Sequence, residues 1–411
     1  MQFVEPVVTP IATGEGTPQE LTKVIEQAYR ICYKSEAHMK EGSESLITRL
    51  LYGGEKGKMI HTSPLEHRRV TFAVDDWVVD AVADWQDERG TAFISIIPQK
   101  TPSAEEHQWL LEGDLRAFFD FVKGYETDED DIKGDYGRRD EARLVINDEL
   151  HRNLPVIFKH MEPYDDTDNA IDWEGCHIIG ESTDYMSFHV VTSRDVLQEV
   201  ARNRTISPNV ESTRYCNYSK RGVSFCIPMG YEWSEGMVEA AAQDPSLIDQ
   251  SADRILNPYT VVDRTYGKCE TKIDSDGTTK LVITETKDHD AYLKEGYQIL
   301  SETRMADPVS FDQIVYNLDS MPEIYSVAAK VAEMLYNKAI ALGVKPQEAR
   351  GLLPGCLKTE MILTGRLQDW AHFLKLRNDP TADPQMQYIA KQIEEWFVAN
   401  GHEDIRAYDL Y

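Results

Sequence analysis

The chain has 411 residues, and its 71 acidic and 43 basic side chains give a formal charge of −28. An acidic surface of this size repels duplex DNA and anionic lipid, so general nucleic-acid binding is disfavoured and any anionic substrate needs a local basic site. The hydrophobic fraction of 41% is typical of a folded protein. The length suits two or three domains of about 150 residues each.

Neither end of the sequence nor its cysteines point to secretion. The longest apolar runs fall well short of the roughly 18 residues of a membrane span, and the first residues lack the basic and apolar regions of a signal peptide. The six cysteines are scattered and form no CxxC pair, which is typical of reduced thiols and predicts no metal site. We therefore expect a cytoplasmic protein (of a host cytoplasm, if the chain is viral).

Three segments in the first half of the chain predict regular structure. Residues 17–33 begin with Thr17 and Pro18, which suit a helix start, and continue with apolar residues at helical spacing. The β-branched and aromatic runs 70–74 and 187–191 predict strands.

Two long stretches have a different character. Residues 75–185 carry acidic runs at 127–135 and 162–168, which predict solvated loops, together with tryptophans that indicate a folded segment. In 231–322, an Asp-Gly pair between two strand-like runs at 272–284 predicts a β-hairpin.

The chain is predicted to be helical from residue 326. Residues 326–343 form an amphipathic pattern that ends at Gly343, a residue suited to stop a helix. The residues on its predicted buried face are Val327, Val331, Leu335 and Ala339. Residues 358–379 contain no proline and predict one long buried helix, with Gly365 as its weak point.

One basic segment stands out in this acidic chain. Between residues 199 and 220 (EVARNRTISPNVESTRYCNYSK), Arg202, Arg204 and Arg214 lie among hydroxyl side chains. The planar fork of arginine matches phosphate or carboxylate oxygens, and hydroxyl and backbone N–H groups complete an anion site. On the residues alone, a surface patch of salt bridges is the alternative.

Residues 202–215, RNRTISPNVESTRY, closely resemble the signature R-H-R-x-x-S-x-x-[QE]-x-S-x-R-Y of the flavin-dependent thymidylate synthases. Three further segments resemble family motifs in the same order: RICYKS at 30–35, HTSPLEH at 61–67, and ARGLLPGCLKTEMILTGRLQDWAHFLKLR at 349–377. Four ordered blocks make a chance resemblance very improbable.

The resemblance implies an α/β (α+β) fold in which a mixed sheet is flanked by helices. It also implies a homotetramer with active sites between subunits. The implied domains are a discontinuous catalytic core (1–74, 186–230 and 323–400), an acidic insertion (75–185), a second insertion (231–322) and a C-terminal tail (401–411).

The family converts dUMP to dTMP with FAD as cofactor and with NADPH and methylenetetrahydrofolate as cosubstrates. It uses no cysteine nucleophile, which agrees with the sequence: Cys216 follows Tyr215, but no nucleophile–base pattern surrounds it. The partner implied is therefore a pyrimidine deoxynucleotide monophosphate.

Carried over position by position, the resemblance implies three groups of site residues. Those expected at the reacting base are Arg377, which would stabilise negative charge on the ring, and Arg202. Those expected to bind the nucleotide are Arg204, Glu211, Ser212, Thr213, Arg214, Tyr215 and Arg350. Those expected to hold the flavin are His61, Ser63, Glu66, Asn203, Arg366, Gln368, His372 and Thr381. By itself His61 would be an ordinary turn histidine, and the flanking SPLEH favours the cofactor role.

The sequence also departs from the family pattern. Asn203, Arg366, Gln368 and Thr381 replace residues that contact flavin in the family, and Val210 replaces the Gln or Glu of the signature. Three explanations follow: a divergent thymidylate synthase, an enzyme that methylates dCMP or adds a hydroxymethyl group as in a virus with altered DNA, or a nucleotide-binding protein without catalysis. We expect the first.

Overall fold

The computed structural model describes residues 2–11, 18–35, 44–52, 61–90, 94–98, 109–123, 137–158, 176–181, 185–220, 222–229, 231, 264–273, 279–286, 298–301 and 320–409. The strands are β1 (Gln2–Val4), β2 (Val7–Ile11), β3 (Arg69–Val74), β4 (Ser95–Pro98), β5 (Trp109–Asp114), β6 (Cys176–Glu181), β7 (Tyr185–Ser193), β8 (Ser207–Val210), β9 (Ser224–Cys226), β10 (Arg264–Ile273), β11 (Thr279–Thr286), β12 (Gln298–Ser301) and β13 (Lys358–Arg366). The α-helices are α1 (Pro18–Tyr33), α2 (Glu44–Tyr52), α3 (Asp76–Arg89), α4 (Leu115–Lys123), α5 (Gly137–Asn153), α6 (Pro155–Phe158), α7 (Arg194–Val200), α8 (Met321–Ala341), α9 (Pro346–Ala349), α10 (Leu367–Arg377) and α11 (Pro384–Ala399). Short 3-10 helices span Ser63–His67, Tyr218–Lys220, Arg350–Leu352 and Ile405–Tyr408.

A four-stranded antiparallel sheet, in the order β2-β7-β13-β8, carries the C-terminal helices on one face. Phe188 of β7 makes edge-to-face contacts with Trp370 of α10 at 5.0 Å and with Phe397 of α11 at 5.7 Å between ring centroids. Such aromatic pairs stabilise a core beyond the area they bury. Sheets with helices packed on them confirm the predicted fold class, and β7 confirms the strand predicted at 187–191.

The prediction of one long helix over 358–379 is wrong. Residues Lys358–Arg366 form strand β13, and the helix begins only at Leu367. Because β13 lies inside the sheet, it is buried on both faces. Its apolar residues Met361, Ile362 and Leu363 are consecutive, so they show no alternation that would distinguish a buried strand from a buried helix. The change occurs where the Asp369 carboxylate accepts a hydrogen bond from the Arg366 backbone N–H at 2.9 Å.

A second antiparallel sheet, in the order β4-β5-β3-β6, joins β3 to strands from the stretch 75–185. Strand β3 confirms the prediction for residues 70–74. Trp85 is buried in the same core, and Trp77 and Trp109 pack against it, which confirms that the tryptophans belong to a folded segment. The acidic runs lie outside the described residues, and the division into a core and insertions stays a prediction.

Helix α1 confirms the helix predicted at 17–33, although Thr17 lies outside the described residues. Its buried face includes Ile25 and Ala28. The C-terminal half of the helix holds the segment after β8: the Asn209 amide donates to the Ala28 carbonyl at 2.9 Å, and the Ser212 N–H donates to the Cys32 carbonyl at 3.0 Å. The first motif block thus positions the loop of the signature segment.

Helix α8 is present as predicted and ends before Gly343, whose φ of +87° favours glycine. The predicted buried face is partly wrong, because Leu335 is 51% exposed. The buried stripe is turned toward Ala329 and Tyr336, since the Tyr336 hydroxyl accepts a hydrogen bond from the Tyr218 N–H at 3.3 Å. The apolar residues of α8 are compatible with two buried faces, and packing against Tyr218 determines which of the two is buried.

Strands β10 and β11 pair antiparallel, with Ile273 opposite Thr279, which confirms the hairpin strands; the Asp-Gly turn itself lies outside the described residues. Strand β12 pairs on the other side of β10. Among the described residues, no helix combines the length and apolarity needed to cross a membrane.

Candidate active site

The signature segment forms strand β8 and the loop that follows it. The Glu211 N–H donates to the Glu360 carbonyl of β13 at 2.8 Å, which fixes the start of the loop. Inside the loop, the Arg214 N–H donates to Ser212 Oγ at 3.3 Å. The Arg214 guanidinium is exposed and lies 5.8 Å from the ring centroid of Tyr215. The loop therefore presents the Arg214 guanidinium at the surface, and these hydrogen bonds hold its backbone in place.

Glu211, predicted to bind nucleotide, lies beneath this loop and is 2% exposed. Its carboxylate accepts a hydrogen bond from the Tyr218 hydroxyl at 2.8 Å and lies 3.5 Å from Lys34 Nζ and 3.6 Å from Lys358 Nζ. Burial and the nearby Glu211 charge raise the Tyr218 pKa far above its usual range, so this hydroxyl stays a donor. In this chain Glu211 anchors the loop, and its contact with substrate stays a prediction.

A cavity of about 380 Å³ opens beside the loop and brings together Thr213 and Arg350, two of the predicted nucleotide-binding residues. An Arg350 Nη1–H group donates to Thr213 Oγ1 at 3.2 Å. Arg194, at the start of α7, adds a second cation to the lining. Arg214, the next residue along the chain from Thr213, is exposed and does not line this cavity.

A second cavity, of about 400 Å³, brings together Glu66, Arg204 and Arg366 from three separate motif blocks. Its other wall is helix α4 and the end of β5, in the stretch 75–185. That wall supplies Asp114 and Arg116. No motif signalled them, because they reach the cavity only through the pairing of β5 with β3.

Asp114 is an ionisable group of this cavity. Burial raises its pKa to about 6, although the Ala117 N–H donates to its carboxylate at 2.8 Å and so favours the charged form. Near pH 6 the carboxyl is therefore half protonated, which reduces the negative charge facing the arginines of the cavity.

The HTSPLEH block forms the 3-10 turn Ser63–His67, with His61 just before it. The backbone carbonyl of His61 accepts a hydrogen bond from the Tyr29 hydroxyl. The His61 ring lies 6.4 Å from the ring of Tyr33, which in turn lies 5.3 Å from Tyr215 between centroids. These ring contacts link the predicted flavin histidine to the signature loop.

Two buried polar atoms fit a bound ligand. Among the described residues, His61 Nδ1 and Asn203 Nδ2 have no hydrogen-bond partner. Asn203 is fixed by its other amide atom, Oδ1, which accepts a hydrogen bond from Thr205 Oγ1 at 3.1 Å. Since buried polar groups in folded proteins are normally hydrogen-bonded, these atoms are available to a cofactor or nucleotide.

His67 ties the same turn to the central sheet. It is 1% exposed, and its Nδ1 lies 2.7 Å from the Thr364 hydroxyl of β13, which also bonds Ser187 of β7 at 2.7 Å. Burial lowers the pKa of His67 to about 3, so the ring is neutral throughout the physiological range.

The neutral state of His67 predicts a loss of stability in acid. Its pKa lies below the value of about 6.5 in an unfolded chain, so the stabilisation is complete above pH 6.5 and declines as pH falls toward 3. When the pH falls from 7 to 5, the unfolding free energy of the wild type should decrease by about 2 kcal/mol more than that of His67→Gln. Urea denaturation at the two pH values measures the difference. An equal loss in both proteins would show that His67 titrates normally.

Arg377, at the end of α10, lies against the start of the signature segment. Its Nη2 donates to the Glu199 backbone carbonyl at 2.7 Å, and its Nη1 donates to the Glu199 carboxylate at 3.2 Å. The Arg202 N–H donates to the same carbonyl at 3.3 Å. The structure thus places the Arg377 guanidinium on the turn that carries Arg202, whose own side chain is exposed.

The remaining predicted flavin residues lie at both ends of α10. With its amide oriented by its hydrogen bonds, Gln368 Oε1 accepts from Arg366 Nη2 at 2.6 Å. His372 Nδ1 lies 3.3 Å from the Asp409 carboxylate, and the Thr381 hydroxyl donates to Asp379 at 2.5 Å. Neither His372 nor Thr381 lines one of the two cavities, and their cofactor roles stay predictions.

Arg202, Arg204 and Arg214 form no salt bridge with a carboxylate of the described residues, whereas Arg116, Arg139 and many other arginines do. In a chain with 71 acidic side chains, such partners are abundant. Among the described residues, the segment therefore does not form the surface patch of salt bridges that was the alternative for it. Guanidinium groups without carboxylates remain free to bind an anion.

The family model described as "Thymidylate synthase complementing protein" matches residues 182–399, more than half of the chain. The chain belongs to this family, that of the flavin-dependent thymidylate synthases, which makes it an enzyme of the flavin-dependent methyltransferase type.

Solved structures of known proteins also align with the chain. A structure of the flavin-dependent thymidylate synthase ThyX from Helicobacter pylori complexed with FAD and dUMP is 14% identical, covers 71% of this chain and 93% of its own, and has a TM-score of 0.30. The UMP/dUMP methylase PolB from Streptomyces cacaoi bound with 5-Br dUMP is 16% identical, covers 74% of this chain and 89% of its own, and has a TM-score of 0.28. No curated protein sequence matches the chain.

Proposed function

We propose that the protein transfers a one-carbon unit to C5 of dUMP to give dTMP, with methylenetetrahydrofolate as carbon donor, FAD as cofactor and NADPH as reductant. The observation that carries the proposal is that Arg202, Arg204 and Arg214 form no salt bridge with a carboxylate of the described residues, while Arg377 is held on the turn that leads into Arg202. Family membership supplies the reaction class.

The nucleotide phosphate would be held by Arg350 and Thr213 in the first cavity, with Arg214 contributed by the exposed loop. Guanidinium–phosphate hydrogen bonds are charge-assisted and fix orientation as well as affinity. Because Arg214 is exposed and does not line the cavity that holds Arg350, we propose that it reaches the phosphate at a subunit boundary of the proposed homotetramer.

The FAD would lie along the second cavity, with Glu66, Arg204 and Arg366 in contact with it and the unpartnered nitrogens of His61 and Asn203 as donors. When bound and reduced, the flavin supplies the chemistry that carries the one-carbon unit. Arg377 would lie against the pyrimidine and stabilise negative charge that develops on the ring as C5 becomes nucleophilic. The bond from C5 to the transferred carbon would replace the C5–H bond, whose proton is lost, and the two electrons that reduce methylene to methyl would come from NADPH through the reduced flavin.

The structure bears on the choice between dUMP and dCMP through Val210. This residue packs against the central core cluster, opposite Met361 of β13, and lines neither cavity. This position supports the proposal that Val210 acts in the packing of the sheet and does not contact the base. A site that hydrogen-bonds the 4-oxo group of uracil rejects a 4-amino group strongly.

We expect a methylated product from dUMP and none from dCMP when each is incubated with the enzyme, FAD, NADPH and methylenetetrahydrofolate and the product mass is read. A reaction without enzyme is the control. Turnover of dCMP alone, or a hydroxymethyl mass, would replace the proposed substrate or product. Nucleotide binding without any product would leave only a binding protein. Cytoplasmic location stays a prediction.

A further inference from the structure

The cavity that brings Glu66, Arg204 and Arg366 together is almost entirely polar. The residues that line it are Glu66, Arg69, Ser95, Asp114, Arg116, Ala117, Asp120, Arg204, Thr205, Ser207 and Arg366. Ala117 is the single apolar residue among them, so the cavity offers little to the face of an aromatic ring. Arginines and hydroxyls instead match the oxygens of phosphate groups.

Arg69 and Arg116 are the two cations of this cavity that lie outside all four motif blocks, and Arg116 is the more exposed of them. It occupies the first turn of α4, and its side chain is 41% exposed. Its Nη1 donates to the Glu66 carboxylate, and its Nε lies 3.6 Å from the Asp120 carboxylate. A guanidinium has five N–H donors, and Nη2 makes no hydrogen bond or ion pair with the described residues. Arg116 therefore retains donors that can turn to a ligand.

The other cations of the cavity differ in how far they are neutralised. Arg69 lies 3.4 Å from Glu112, and Arg366 lies 3.1 Å from Asp369. Arg204 forms no salt bridge with a described carboxylate. Arg116 and Arg204 line the same cavity from different segments of the chain, which suits a ligand with more than one anionic group.

We propose that Arg116 is a cofactor-binding residue that, with Arg204, contacts the diphosphate of FAD. This inference rests on the proposed function, because FAD is the cofactor that function requires, and its anionic groups are the two phosphates. The segment 75–185 then supplies part of the cofactor site. The rival role for Arg116 is to hold Glu66 in place without touching the ligand.

Flavin-free, full-length protein titrated with FAD and with riboflavin separates these roles, because riboflavin lacks the phosphates. Arg116→Ala should weaken FAD binding by about 10- to 100-fold, as read by flavin fluorescence, and leave riboflavin binding unchanged. Arg116→Lys, which keeps the charge and loses the fork, should fall between wild type and alanine. Asp120→Asn frees Arg116 from a carboxylate and should tighten FAD binding by up to about fivefold.

The matched control is Arg139→Ala, which removes an arginine of the same segment that is paired with Glu88 and lines neither cavity. Unchanged FAD binding in folded Arg116→Ala would overturn this inference and leave the proposed function standing. An equal loss of FAD and riboflavin would do so as well, since it would assign Arg116 the rival role. A wild-type protein that binds no FAD would overturn the inference together with the proposed function.

Discussion

Replacing Arg377 by alanine is expected to lower turnover of dUMP by about 100- to 1,000-fold, the loss typical for a donor that stabilises developing charge. Nucleotide affinity should fall much less, because the charge appears on the ring only during the reaction. The side chain is 17% exposed and fixed on Glu199, while its Nε is buried without a hydrogen-bond partner in the described part of the chain. The hydrogen bonds to Glu199 fix the position of the guanidinium.

Two further variants distinguish a catalytic role of Arg377 from a purely structural one. Glu199→Gln keeps the hydrogen-bonding shape and the backbone carbonyl that holds Arg377, so it should retain most of the turnover. Arg406→Ala removes an exposed arginine paired with Glu394 and should match the wild type. Single-turnover kinetics with saturating dUMP give the comparison. Wild-type turnover in folded Arg377→Ala would remove this residue from the reaction.

Arg214→Ala and Arg350→Ala should each weaken dUMP binding by about 10- to 100-fold in calorimetry, because a hydrogen bond to a charged group contributes about 1.5–3 kcal/mol. Deoxyuridine, which has no phosphate, should bind all three proteins alike. If both arginines contact the same phosphate, their effects in the double variant will not add.

Lys391→Ala is the control for these two variants, since Lys391 is an exposed cation on α11 whose nearest carboxylate, Glu395, is also exposed. Unchanged dUMP affinity in Arg214→Ala and Arg350→Ala would place the phosphate elsewhere. An equal loss of deoxyuridine binding would mean that the loop had collapsed instead of losing a phosphate contact.

The sequence predicted correctly those helices and strands whose formation depends mainly on neighbouring residues. Helix α1 has a start signal and a clear apolar face, and strand β7 has β-branched and aromatic residues at the expected positions. The helix predicted over 358–379 failed because β13 is buried on both faces, so its pattern carries no period. Leu335 was wrongly predicted to be buried, because the contact between Tyr218 and Tyr336 determines which face of α8 is buried.

The candidate site likewise contains residues that the sequence predicted and residues that it could not predict. The motif residues Glu66, Arg204 and Arg366 meet in one cavity, although they are far apart in the sequence. Arg116 and Asp114 could not be predicted, because they reach the cavity through the pairing of β3 with β5. Residues with no motif are visible only once the sheet that carries them is known.

The most direct test of the proposed flavin-dependent carbon transfer uses methylenetetrahydrofolate labelled with ¹³C in the transferred carbon. We expect dUMP to be converted to dTMP that carries the label in its 5-methyl group, and only when FAD and NADPH are both present. Product without flavin, or no labelled product from a complete mixture in which FAD and dUMP are bound, would contradict the account.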